Sequence, residues 1–185
     1  MGDNLIIHIP DLDLGLVELI VEQGLGGLEK LPEGIRHNPE ATLETIENNI
    51  RKVIIDEQPV NPMYYENMSE LLDALIQERK IHALEYKEYL AKLVELSSKV
   101  KNPAETSAYP GSLSTPAMRA LYDNVDRDEA MVIRIDTVVR YTRRDDWRGN
   151  RVKEREVLNA IREELGASDA KADQVVELVK NQREY

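Results

Sequence analysis

The chain has no cysteine and no phenylalanine. Without cysteine there is no disulfide, no thiolate metal ligand and no cysteine nucleophile. Aromatic residues make up 5% of the sequence, tryptophan occurs once and charged residues reach 32%, which points to a helical, well-solvated protein. No apolar run reaches the roughly 20 residues of a membrane span, and the chain reads as having no secretory leader. A cytoplasmic protein with no membrane partner is expected. Glycine is also sparse, with nine residues at 2, 15, 24, 26, 27, 34, 111, 149 and 166. None is followed by Lys and Ser or Thr, so no phosphate-binding loop of the Walker type exists. Gly24-Leu25-Gly26-Gly27 lacks the third glycine of a dinucleotide fingerprint and reads as a turn.

Positive charge is scarce in the first half. Residues 1–100 carry 9 Lys/Arg against 19 Asp/Glu, whereas residues 101–185 carry 15 against 16. The net charge of −11 argues against a protein that coats nucleic acid with its whole surface. Within the second half, residues 127–155 hold 9 basic and 6 acidic residues. If any part touches phosphate, this local basic segment is the candidate.

What is present in quantity is helical periodicity. With 185 residues, 42% of them hydrophobic, the chain is long enough for one cored domain with an N-terminal extension. Asn38-Pro39, Asn61-Pro62 and Thr115-Pro116 each place a capping side chain before a proline at the first helical position. Apolar residues then recur at helical spacing. The runs are Leu43, Ile46, Ile50, Val53 and Ile54; Met68, Leu71, Leu72, Leu75 and Ile76; and Tyr86, Tyr89, Leu90, Leu93 and Val94. Shorter runs follow at Met131, Ile135, Val138 and Val139, at Leu158, Ile161 and Leu165, and at Val175, Val176 and Val179. Gly166 reads as a C-cap and Ser168 as the next N-cap. An early helix is expected over residues 14–23, ending at Gly24. Residues 24–34, five of them Gly or Pro, suggest a linker, and residues 101–114 a long interhelical loop. Residues 5–9 alternate weakly, as a strand does. The expected fold is all-α: an irregular bundle of about seven or eight helices with no sheet of consequence. Residues 1–37 form an extension and residues 38–185 a helical domain.

Catalytic patterns fail one by one. Val53-Ile54-Ile55-Asp56-Glu57 looks like the acidic metal-holding strand of an ATPase, but it is the tail of a capped, periodic helix. Glu78-Arg79-Lys80 and Glu85-Tyr86-Lys87 match the Glu-x-Lys of a metal-dependent nuclease. That chemistry needs side chains converging from a sheet, and both copies fall on helices or between them. His8, His37 and His82 are scattered; His82 with Glu85 is one pair without a third ligand. No serine sits in a nucleophile elbow. No catalytic residue and no metal site is assigned.

One constellation remains, residues 140–151. It holds the only tryptophan and five arginines: Arg140, Arg143, Arg144, Arg148 and Arg151. The arginine fork suits phosphate and carboxylate, and Trp147 can stack on a base or anchor a protein interface. If the helix runs through them, Arg140, Arg143 and Arg144 share one face. The competing reading pairs these arginines with Asp145 and Asp146 and puts Trp147 in the core at a helix junction.

Several blocks carry a family resemblance. ETIENNIRKVIIDEQPVNPMYYENMSELLDALI (residues 44–76) and EYKEYLAKLVEL (85–96) resemble the C-terminal region of the R subunit, the motor and endonuclease subunit, of type I restriction enzymes. STPAMRALYDN (114–124), DDWRGNRVKEREVLNAI (145–161) and ELVKNQREY (177–185) resemble the same region in the same order. The likeness covers residues 41–185 and, less distinctively, 16–36. It implies a fragment: the helical domain that docks the R subunit onto a methyltransferase core of M and S subunits. Nuclease and ATPase motifs belong to earlier domains of that family. ATP and Mg are therefore implied for the full-length subunit, with no cofactor in this fragment. The expected function is non-catalytic assembly, with duplex DNA as a further contact through the arginine segment. The alternative is a module that primarily binds DNA in support of translocation.

Overall fold

The computed structural model describes residues 15–82, 85–166 and 169–185. The expected strand at residues 5–9, His8 and the Ser168 cap lie outside them. Ten α-helices and one 3-10 helix make up the described residues, with no strand among them. They are α1 (Leu16–Gln23), a 3-10 helix (Gly24–Lys30), α2 (Glu33–Arg36), α3 (Pro39–Glu57), α4 (Pro62–His82), α5 (Tyr86–Lys101) and α6 (Pro103–Thr106). The second half adds α7 (Pro116–Asn124), α8 (Glu129–Thr142), α9 (Arg151–Leu165) and α10 (Asp169–Lys180). The chain is all-α. None of the described helices is long and apolar enough to cross a membrane.

The proline-led helix starts follow from local chemistry. Asn38 Oδ1 accepts from the Ala41 N–H at 3.2 Å, Asn61 Oδ1 from the Tyr64 N–H at 3.4 Å, and Thr115 Oγ1 from the Met118 N–H at 3.2 Å. Each satisfies a donor that the first helical turn leaves open. Gly166 ends α9 in the left-handed conformation, φ 54° and ψ 21°, with its N–H on the Arg162 carbonyl.

The helices form two compact units. The first comprises the described residues of 15–57 and 65–107; the second comprises 58–64 and 108–185. This division runs along a different line from the one drawn at residue 37 in the sequence. In the first unit α1 packs on α3 and α5, and α3 on α5. Leu16, Leu19, Ile20, Ile46, Ile50, Leu72, Tyr89 and Leu93 are fully buried there. Residues 24–34, expected to be a linker, instead form the 3-10 helix and α2. Gly27 explains why glycine is needed: a Cβ there would lie 2.8 Å from the Leu19 carbonyl oxygen. Gly27→Ala should therefore lower stability by about 1–3 kcal/mol, the usual penalty for overpacking. Equilibrium urea unfolding of the two proteins measures it.

A polar cluster is buried in the same unit. The Tyr89 hydroxyl on α5 donates to Glu47 Oε1 on α3 at 2.8 Å. Arg79 on α4 lies 3.6 Å from that same oxygen, bonds Glu40 Oε1 at 2.6 Å, and stacks 5.0 Å from the Tyr89 ring centre. Burial, acting against the Tyr89 hydroxyl and the Arg79 charge, raises the Glu47 carboxyl above its ordinary value. Burial and the Glu47 hydrogen bond likewise push the Tyr89 phenol up.

In the second unit α7 packs on α8 and α10, and α9 on α8 and α10. The core cluster includes Leu121, Val132, Ile135, Val139, Trp147, Val157, Ile161, Val179 and Tyr185. Asn61 is tied into this unit from far away in sequence: its Nδ2 donates to Asp123 at 2.7 Å and its Oδ1 accepts from Asn124 at 2.8 Å.

Candidate functional site

The arginine-rich corner is built by the end of α8, the turn 143–150 and the start of α9. Helix α8 starts at Asp128, whose side chain accepts from the Met131 N–H at 2.9 Å. It stops at Thr142 because Arg143 adopts an extended conformation, φ −62° and ψ 136°. The expectation that Arg140, Arg143 and Arg144 share a helical face is thereby corrected: only Arg140 is in the helix. The chain then reverses through Asp146 (φ 54°) and Gly149 (φ 77°), positions that suit Asp and Gly. Asn150 opens α9 by accepting from the Val152 and Lys153 N–H groups at 3.1 and 3.3 Å. Glu154 reaches back to the Gly149 N–H at 2.7 Å. That bond is the main cause of the lowered Glu154 carboxyl pKa.

Between these two helix ends Trp147 turns inward and is 2% exposed. It fills the core at a helix junction, as one of the two sequence readings has it. The other half of that reading is corrected: among the described residues Asp145 and Asp146 form no ion pair with an arginine. Asp145 offers only its carbonyl, to Lys153 Nζ at 2.6 Å.

The arginines divide by what they touch. Arg148 stacks 5.1 Å from the Trp147 ring centre and donates from Nε to the Lys180 carbonyl at 2.9 Å and from a terminal nitrogen to the Gln182 carbonyl at 2.6 Å. It thus serves the carbonyls at the end of α10, where helix acceptors lack partners and a positive charge is favoured. Arg140 Nε bonds both carboxylate oxygens of Asp136, at 3.0 and 2.9 Å, and its guanidinium lies 5.1 Å from the Tyr185 ring centre. The Tyr185 hydroxyl donates to the same Asp136 at 2.7 Å. Burial and that bond push the Tyr185 phenol up. Arg144 is 69% exposed and lies 3.4 Å from Glu156. Arg151 is exposed and makes no ion pair among the described residues.

Arg143, Arg144, Trp147 and Arg148 line one recess of about 430 Å³ with Asp145, Asp146 and Tyr185. Arg140 and Arg151 do not line it. Arg143 Nε and Trp147 Nε1 are buried donors with no acceptor among the described residues.

Sequence reasoning missed the outward face of α8. Ile133, Thr137 and Tyr141 succeed one another at intervals of four and, with Val138, Arg134 and Glu164, line a shallow apolar recess of about 330 Å³. Tyr141 is 92% exposed and Ile133 41%. Arg134 and Glu164 pair at 3.3 Å on its rim. The signal was present, since α8 carries this stripe beside its core stripe of Val132, Ile135 and Val139. A second recess, about 570 Å³, runs along α10 beside Pro59, Pro62 and Met63, with Val175 and Leu178 at its base.

No group of three or more His, Asp or Glu that could hold a metal ion occurs among the described residues. In the two Glu-x-Lys tripeptides, Glu78 on α4 takes an ion pair from Lys92 on α5 at 2.8 Å, and Glu85 is the exposed N-cap residue of α5. Compared with protein-family models, curated proteins and solved structures, the chain gives no match.

Proposed function

We propose that this chain is a non-catalytic assembly module, the helical C-terminal part of an R subunit of a type I restriction enzyme. In this reading it docks the motor and nuclease subunit onto the methyltransferase core of M and S subunits. One observation carries the choice of assembly over DNA binding. Trp147, Arg140 and Arg148, the residues best suited to stacking on bases and gripping phosphate, are engaged within the fold. The most exposed large apolar side chain of the described residues is instead Tyr141, on the same face of α8 as Ile133. A tyrosine and an aliphatic residue rimmed by an Arg–Glu pair have the composition of a protein-interface hot spot. The acidic first half adds orientation toward a basic partner surface.

The test is co-elution of the chain with its cognate methyltransferase core, at low and high salt, with and without duplex DNA. The expected result is a complex that forms without DNA and persists at high salt. Tyr141→Ala combined with Ile133→Ala should weaken it by about 2 kcal/mol, roughly thirtyfold in affinity. Retention only with DNA and only at low salt would overturn the assembly reading. A log–log salt slope of about 0.9 per neutralised phosphate would then point to Arg144 and Arg151 as the DNA contacts.

A further inference from the structure

The recess at the arginine-rich corner has a feature that the assembly reading leaves unused. Two of the residues that line it, Arg143 and Trp147, each carry an N–H donor, Nε and Nε1, that is shielded from solvent and has no acceptor among the described residues. Burying a donor without an acceptor is unfavourable, and native proteins rarely leave such groups unsatisfied. Two on neighbouring side chains of one recess are rarer still. An acceptor that enters and draws Arg143 toward it relieves that penalty.

The chemistry of the wall indicates which acceptor. Arg143 has no ion pair among the described residues, and Arg144 has only a half-exposed glutamate at 3.4 Å. Arg148 holds its own bonds to Lys180 and Gln182, so it lends charge without being free to move. The unpaired guanidinium of Arg143, beside the loosely paired one of Arg144, matches a planar two-oxygen anion. Asp145 and Asp146 line the same recess and confine the attraction to one small site. That is poor ground for a nucleic-acid backbone, which presents phosphates in a row. It suits one carboxylate at the end of an aliphatic stem.

We infer that the recess lined by Arg143, Arg144 and Trp147 is a carboxylate-binding subsite that receives an acidic side chain of the protein docked on the adjoining face of α8. The identity of that visitor rests on the assembly reading; the affinity of the recess for a carboxylate does not. Arg143 forks onto the two oxygens, Arg144 closes over them from the solvent side, and the Trp147 indole N–H gains an acceptor. The subsite orients the partner, while Tyr141 and Ile133 supply apolar contact.

The single tryptophan makes the test direct, because one indole N–H resonance reports on the site. The ¹⁵N-labelled chain is titrated with succinate, with inorganic phosphate, and with a short duplex DNA. The expected result is a saturable downfield shift of the Trp147 indole and Arg143 Nε–H signals with succinate. Arg143→Met should weaken that binding at least about tenfold, as loss of a bidentate charged contact does, while the rest of the spectrum keeps its folded dispersion. Arg143→Lys, which keeps charge but not the fork, should restore little. No saturable indole shift, or a shift unchanged in Arg143→Met, overturns the subsite. Tighter response to phosphate or DNA than to succinate overturns the carboxylate assignment. A succinate response without co-elution on the methyltransferase core would remove the assembly reading and leave the subsite. Co-elution without a succinate response would do the reverse.

Discussion

Trp147→Ala is expected to lower the unfolding free energy by about 3–5 kcal/mol, the range for removing a buried aromatic side chain from a core. The side chain is 2% exposed and belongs to the cluster that contains Val139, Val157, Ile161 and Tyr185. Its loss also takes away the ring on which Arg148 rests, and Arg148 holds the carbonyls of Lys180 and Gln182. The large cost comes from volume, not from hydrogen bonding, because the indole N–H has no acceptor among the described residues. Trp147→Phe should accordingly be much milder, about 1–2 kcal/mol. Urea unfolding followed by far-UV circular dichroism measures both. Equal losses for Ala and Phe would show that the indole nitrogen, not the ring, holds the corner.

The second large effect is expected in the first unit. Arg79→Met should cost about 3 kcal/mol near neutral pH, because it leaves Glu47 buried without its cation. Arg79 is 16% and Glu47 11% exposed at the side chain, so water screens little of the interaction. The contact is an ion pair at 3.6 Å, too long for a hydrogen bond; among the described residues only Tyr89 bonds the Glu47 carboxylate directly. The sign of the pH dependence follows from the raised Glu47 carboxyl. The folded state holds that proton more tightly than the unfolded state, whose reference value is 4.5. The stabilisation linked to this proton is complete below about 4.5 and is lost as the pH rises through the higher folded value. Removing Arg79 raises the folded value further. Arg79→Met should therefore recover part of its deficit as the pH falls from 7 toward 5. The double variant with Glu47→Gln should recover most of it at every pH. A deficit that stays constant with pH, or that survives Glu47→Gln, would place the loss in the Arg79 stacking on Tyr89 or its bond to Glu40 instead.

Much of the fold was legible because it is locally encoded. Asn38, Asn61, Thr115 and Gly166 act within three or four residues of themselves, and each does what its position in the sequence suggests. Much of the core faces of α3 and α5 follows from helical period: Leu43, Ile46, Ile50 and Ile54, and Tyr89, Leu90 and Leu93, are buried, although Tyr86 is exposed; on α8 the period finds Ile135 and Val139 but misses Val132. What was illegible depends on distant partners. Arg148 meets acceptors 32 and 34 residues away, and Tyr89 meets Glu47 across 42. The helical face assigned to Arg140, Arg143 and Arg144 failed for the same reason. Periodicity gives no sign that the chain must leave α8 at Arg143 so that Trp147 can turn into the core. At the candidate site the residue types were readable, but their division into inward and outward groups was not. Nor was the exposed stripe on α8, where Val138 counted toward the core and instead lines the outward recess.

The placement of residues 58–64 has a consequence for how the chain acquires its structure during synthesis. The first unit has all its described parts once residue 107 has emerged from the ribosome. The second cannot close then, because the Val60 carbonyl waits for Gln182 Nε2, which bonds it at 2.7 Å across 122 residues. Loops of that length close slowly. Until α10 is made, Asn61, with its bonds to Asp123 and Asn124, has only part of its final setting. The N-terminal half thus matures early and the arginine-rich corner last, since Arg148 too needs acceptors at residues 180 and 182. A nascent chain stalled before α10 should carry a finished first unit and an unfinished arginine-rich corner.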